Sequence, residues 1–218
     1  MFDRFFQRRE EEEKFRRADR LPPGQALTQK FPVLHYGPTP SFDPATWTFR
    51  IFGAVEEERV WTWAEFQQLP RTKVTLDIHC VTRWSKFDTV WEGVSVKGLV
   101  EAGIIRLKPE AAYVIQHCEY GYTTNTPLSL VLSDNMLMAT HYNGAPLTPE
   151  HGYPLRMVIG SFPDRSEKKT AYFWKGGKWL RGLEFRADDK PGFWERYGYH
   201  NDADPWLEQR FSDSSFGG

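Results

Sequence analysis

The apolar pattern of this chain never settles into one period, and that constrains its folds more than any other feature. Alternation suited to half-buried strands appears at residues 47–52 and 60–63, then gives way to a short helical stretch at 64–68 that Pro70 ends. Further strands are expected at 75–80, 112–118, 136–142, 153–159 and 178–185. Helical spacing returns at 93–102, where Val94, Val96, Leu99 and Val100 lie near one face and Gly103 follows as a cap, and briefly at 129–132. Asn143-Gly144 marks a tight turn. Short, unevenly spaced strands with a few short helices indicate an α+β fold weighted towards β. Regular βαβ alternation is missing, and no G-x-G-x-x-G or Walker pattern occurs, which argues against the usual nucleotide-binding folds.

The flanks read differently. Residues 1–24 form a charged N-terminal arm, with a dense charge run at 8–17 and Phe2, Phe5, Phe6 and Phe15 at helix-like spacing. The expected structure is a solvated helix docked by its Phe edge and ended by Pro22-Pro23-Gly24. Residues 25–218 are expected to be one domain, whose tail beyond 187 is rich in Gly, Pro, aromatic and acidic residues and wraps the surface. Nine Trp and sixteen Phe among 218 residues supply ample core surface. A net charge of −1 gives no bulk attraction to nucleic acid. No apolar stretch is long enough to span a bilayer. The arginine pairs Arg8-Arg9 and Arg16-Arg17 precede charged or polar residues rather than an apolar segment, so no export signal is read and the cytoplasm is the expected compartment.

Chemistry centres on two cysteines, Cys80 and Cys118, too few for a disulfide framework. Each follows a histidine, so His79-Cys80 and His117-Cys118 invite a zinc reading. Adjacent strand residues point to opposite faces, however, and each dipeptide can turn only one side chain towards a shared ion. Two buried core thiols are the plain alternative. Cys80 stands apart because it ends an apolar strand and is followed by Val81-Thr82-Arg83-Trp84-Ser85, a setting in which a thiolate can face a cleft beside a cation.

The segment His79-Cys80-Val81-Thr82-Arg83-Trp84-Ser85, followed by Trp91-Glu92-Gly93-Val94, resembles the metal-cysteine segment of the sulfite oxidase and molybdopterin-binding oxidoreductase family. Three further stretches match in order. Glu119-Tyr120-Gly121-Tyr122-Thr123-Thr124-Asn125 resembles the family's active-site loop, His151-Gly152-Tyr153-Pro154-Leu155-Arg156 its His-Gly-aromatic-Pro motif, and Lys175-Gly176-Gly177-Lys178-Trp179-Leu180 its Lys-x-x-Lys-Trp-Leu motif. The tail, with Gly192-Phe193-Trp194-Glu195, Gly198-Tyr199-His200 and Asp204-Pro205-Trp206, is similar to that of a bacterial subgroup near the methionine-sulfoxide-reductase catalytic subunits.

The resemblance implies a sulfite-oxidase-type fold of mixed sheets and a molybdenum-molybdopterin cofactor whose metal is ligated by Cys80. It implies pterin or phosphate contacts from His35, Tyr36, His151, Arg156, Lys175 and Lys178, with Cys118 as a further pocket-lining candidate. Arg156 is the strongest of these on physical grounds, since a planar guanidinium can hold phosphate through two bonds. Tyr122 is expected to hydrogen-bond a transferring oxygen, and Arg83 to attract an oxyanion or lower the thiol's pKa. Sulfite oxidases carry a richer arginine cluster after their cysteine than this lone Arg83, which weakens the case for sulfite itself. The implied reaction is two-electron oxygen-atom transfer to or from a small sulfur or nitrogen centre. No Cys-x-x-Cys-His or iron-sulfur cysteine set is present, so a separate electron-transfer partner is expected. The alternatives are an S-oxide or N-oxide reductase using the same chemistry in reverse, and a molybdopterin-binding protein without turnover.

Overall fold

A computed structural model describes residues 2–212, with side chains described for Gln7 and from Arg9 onward. In chain order the elements are α1 (Phe2–Arg17), β1 (Ala26–Leu27), β2 (Thr48–Gly53), β3 (Arg59–Thr62), α2 (Trp63–Phe66), β4 (Thr72–His79), β5 (Trp84–Val94) and α3 (Val96–Glu101). There follow β6 (Tyr113–Cys118), β7 (Thr123–Pro127), α4 (Leu128–Val131), β8 (Met136–Tyr142), β9 (Ala145–Pro146), β10 (Arg156–Ile159), β11 (Leu180–Arg186) and α5 (Phe193–Arg196).

These strands build two mixed sheets, so the α+β, strand-rich expectation holds. One runs β1-β5-β8-β10, with β4 also paired to β5 and β9 to β8. The other runs β3-β2-β11-β6-β7, and within it β2 and β11 are parallel. The larger core includes Phe49, Ile51, Leu99, Val114, Met138, Met157, Leu180 and Phe185, drawn from both sheets and α3. Burying such side chains supplies about 1.5–3 kcal/mol each relative to exposure.

Besides the two-residue β1 and β9, two strands escaped the periodicity argument. β5 carries Lys86, Asp88 and Glu92, which break any apolar alternation, yet it pairs with β4 along nearly its whole length. β7 reads Thr-Thr-Asn-Thr-Pro, and its buried Thr124, Asn125 and Thr126 satisfy their polar groups through hydrogen bonds rather than through apolar packing. The helix expected at 93–102 is trimmed to α3, because Gly93 and Val94 finish β5 against β8 and Ser95 caps the helix by accepting from Gly98 N. Gly93 sits at an irregularity in that pairing, where a side chain would strike the Met138 carbonyl.

The N-terminal arm carries α1. Phe15 meets Phe87 edge-on at 5.2 Å; the side chains of Phe2, Phe5 and Phe6 lie outside the described residues. Beyond the helix, Arg20 grips the fully buried Asp77 with two bonds of 2.7 and 3.0 Å. Glu12 accepts from Leu27 N at 2.9 Å, fastening the helix to β1. The tail is more than a surface wrap. Ala203 is fully buried, its carbonyl accepts from Tyr172 N, and α5 packs beside β7.

Candidate active site

Loops from both sheets converge on one cavity of about 290 Å³. The β4–β5 turn brings Cys80, Val81, Thr82 and Trp84; the β6–β7 turn brings Glu119, Tyr120 and Tyr122. The approaches to β10 and β11 add His151, Arg156, Phe173, Trp174 and Lys178, the tail adds Trp194 and Tyr199, and the 31–36 loop completes the rim. Seven of the ten site candidates therefore share one cavity: Cys80, Tyr122, His35, Tyr36, His151, Arg156 and Lys178.

Cys80 occupies a tight turn. Its N–H donates to Trp84 O at 2.8 Å, its carbonyl accepts from Arg83 N at 3.1 Å and from the Gln25 amide at 3.0 Å, and Sγ lies 3.1 Å from Thr82 Oγ1. Burial pushes the thiol above its ordinary pKa, opposed by Thr82 and by the charge of Arg210. His79 points the other way, between Ser85 Oγ and Ser161 Oγ at 2.8 Å each, and burial holds it neutral with a pKa near 3. His117 likewise turns from its neighbour, bonding Glu184 at 2.9 Å. Opposite-facing neighbours are what strand geometry requires.

The cationic side of the cavity is unusual. Arg156 is 2% exposed and donates only to carbonyls, reaching His151 O at 3.0 Å, Gly176 O at 3.2 Å and Met157 O at 3.3 Å. Its guanidinium lies 4.2 Å from the Phe173 ring centroid. Among the described residues no carboxylate pairs with it, and burial lowers its pKa to about 9. Burial, followed by the charge of Arg156, lowers Lys178 to about 7; its ammonium donates to Glu150 O at 2.6 Å. His151 stacks on Phe31 at 3.9 Å and is held near 4 by burial and Lys178, with Nδ1 buried and without a hydrogen-bond partner. Buried cations without an acid are costly unless an anion joins them. This donor set fits a phosphate-bearing ligand.

Three candidates do not line the cavity. Lys175 is sealed at 1% exposure, donating to Glu195 at 2.7 Å and Asn125 at 2.8 Å, so its charge is neutralised by the tail rather than offered to a phosphate. Cys118 lies behind the wall, its sulfur packed where a Gly177 side chain would stand, and burial drives its thiol far above the usual range. Arg83 is exposed at a positive φ of 72° on the outer side of the turn. Arg210 from the tail is the cation whose field reaches Cys80, a residue that spacing could not connect to a thiol 130 positions earlier in the chain. Trp194 and Tyr199 were visible as a tail motif, but nothing in their spacing put them on the cavity wall.

Lys175→Met is expected to destabilise the protein by about 3–5 kcal/mol, because it strands the buried Glu195 carboxylate. Urea unfolding of cofactor-free protein measures this. A direct phosphate contact would instead show as lost cofactor with little change in that unfolding.

Residues 36–194 match the Oxidoreductase molybdopterin binding domain family. The chain belongs to that family. Its cofactor is molybdenum-molybdopterin, and it is an oxidoreductase. This oxidoreductase is 47% identical over 195 residues to the Uncharacterized oxidoreductase YuiH of Bacillus subtilis, covering 88% of this chain and 92% of that one. It is 25% identical to the Putative protein-methionine-sulfoxide reductase subunit YedZ1 of Azospira oryzae, over 82% of this chain and 64% of the relative. Rat mitochondrial sulfite oxidase is 22% identical, and there the match spans 82% of this chain but only 37% of the longer enzyme. Among solved structures, the sulfane dehydrogenase SoxCD of Paracoccus pantotrophus shares the fold, with a TM-score of 0.58 at 20% identity over 75% of this chain and 43% of that chain. No helix among the described residues is long and apolar enough to cross a membrane.

Proposed function

We propose that this oxidoreductase transfers an oxygen atom, with two electrons, to or from a small sulfur or nitrogen centre, and that Cys80 is the protein ligand of the molybdenum. The observation that carries the reading is a single cavity bordered both by Cys80 and by the buried Arg156, which has no carboxylate partner among the described residues, with Lys178 and His151 beside it. When bound, molybdenum-molybdopterin supplies a two-electron couple between the metal's VI and IV states.

The chain's own residues do the rest. Arg156 and Lys178 would hold the cofactor's phosphate, which in turn neutralises charges the fold buries. His151 keeps an unpartnered nitrogen beside them, its ring fixed by Phe31. Tyr122 has its pKa raised well above the usual value, chiefly by burial, so its hydroxyl stays protonated. With only a long 3.4 Å contact to Trp174 O, that hydroxyl can donate to the substrate oxygen. Trp84, Trp174, Trp194 and Tyr199 exclude water from the same space.

The walls also favour one direction of this chemistry. Apart from the phosphate-binding cluster and the exposed His35, the lining is mainly aromatic, and Arg83 lies outside it. A dianion such as sulfite gains little there, whereas a neutral S-oxide or N-oxide matches both the aromatic walls and a single hydroxyl donor. Electrons then come from a separate one-electron carrier.

The test is a panel of sulfite, methionine sulfoxide and trimethylamine N-oxide with an artificial one-electron dye, run on protein from molybdenum-replete cells. Reduced dye should be consumed faster with the S-oxide or N-oxide than oxidised dye is reduced by sulfite. Protein holding about one molybdenum per chain yet inert towards all three would favour a binding protein without turnover.

A further inference from the structure

The turn that carries Cys80 is held from far along the chain. Gln25 donates to the Cys80 carbonyl at 3.0 Å, and Arg210 Nη1 donates to the next carbonyl, Val81 O, at 2.6 Å. Arg210 is 7% exposed. Its guanidinium lies 5.0 Å from the centroid of the fully buried Tyr172 ring, and its Nε is buried without a hydrogen-bond partner. The nearest carboxylate, Glu208, stands 3.6 Å away with a side chain 47% exposed. The backbone around Arg210 is fixed by His200 N donating to Arg210 O at 3.2 Å and by the bridge between Tyr199 and Phe211.

A guanidinium buried with only a partly solvated partner is an expensive way to secure one carbonyl. An amide or a well-packed apolar side chain would cost less. What Arg210 adds is a fixed, buried positive charge held 2.6 Å from the carbonyl of Val81, the residue next to Cys80. Outer partners of a metal ligand commonly orient it and adjust the metal's electronics.

We infer that Arg210 is a positioning residue for the metal-binding thiolate: it fixes the 80–82 turn through Val81 O and stabilises the negative charge that Cys80 carries as a ligand. This rests on the reading of Cys80 as the molybdenum ligand. The tail thus contributes to the redox centre as well as to the cavity wall.

The experiment compares holoenzyme of the unaltered chain, Arg210→Gln, Arg210→Lys and Cys80→Ser. It measures molybdenum per chain, the molybdenum midpoint potential by dye-mediated titration, and the Mo(V) resonance. Arg210→Gln retains an N–H donor but no charge, so its midpoint should move to more negative potential, because the added electron loses a nearby cation. Its metal affinity should fall by about tenfold. Arg210→Lys keeps the charge and should restore most of the potential. A midpoint and resonance in Arg210→Gln identical to those of the unaltered chain would overturn the inference, even if thermal stability fell. Cys80→Ser protein that retains its molybdenum and resonance would overturn the ligand reading, and the inference with it. Loss of metal in Cys80→Ser alongside an unchanged Arg210→Gln would remove only the role of Arg210.

Discussion

Cys80→Ser protein is expected to fold normally and to carry less than about a tenth of the molybdenum found in the unaltered chain, with turnover abolished. The substitution is nearly isosteric, and the contacts that shape the turn survive it. Cys80 N to Trp84 O, Gln25 to Cys80 O and Arg210 to Val81 O are all independent of the sulfur. The sulfur's own hydrogen-bonding contact, with Thr82 Oγ1, is one a hydroxyl can also make. Stability of cofactor-free protein should therefore change by no more than about 1 kcal/mol. A serine hydroxyl is a hard donor that stays protonated at neutral pH, so the loss falls on the metal. Elemental analysis beside a thermal melt separates the two quantities. Unaltered metal content would remove Cys80 from the centre.

Arg156→Met is expected to lower pterin occupancy at least about tenfold, while the cofactor-free protein changes in stability by less than about 2 kcal/mol. From sequence alone, loss of Arg156 should harm cofactor binding more than folding, and the structure supplies the reason. Two effects oppose each other. Removing the guanidinium leaves the His151, Gly176 and Met157 carbonyls without those donors, each costing about 1–3 kcal/mol at most. It also removes a cation whose pKa is pulled to about 9 by burial, a penalty of similar order. Methionine refills much of the volume beside Phe173. With cofactor bound as proposed the balance would change, because its phosphate would neutralise Arg156 and Lys178 together. Pterin fluorescence after extraction reports occupancy, and urea unfolding of cofactor-free protein reports stability. Full occupancy in the variant would exclude Arg156 from phosphate binding.

The contrast with Lys175 shows why residue type and motif position were not enough. Arg156 and Lys175 are equally buried, and both sit in ordered motifs of the resemblance. Lys175 meets Glu195, brought by α5 from the tail, and is neutralised. Arg156 donates only to carbonyls, and its charge is left without a carboxylate among the described residues. No local pattern distinguishes them, since the deciding carboxylate is twenty residues away from one and, among the described residues, absent from the other. Arg83 and Arg210 make the same point. The cation adjacent in sequence turns outwards from a strained turn, and the cation that acts on the thiol arrives from the end of the described chain.

What the sequence by itself determined was therefore local or motif-borne. The mixture of short strands and helices set the α+β class. Opposite-facing neighbours separated each histidine from its cysteine, and four ordered motifs pointed to the family and made Cys80 the expected metal ligand. Only the tertiary structure decided which buried cations meet a carboxylate and which aromatic side chains wall the cavity. Alternation and helical spacing record whether a side chain faces water or core, within a few residues. Electrostatic partnership depends on distances between segments that meet only when the two sheets and the tail close around one cavity.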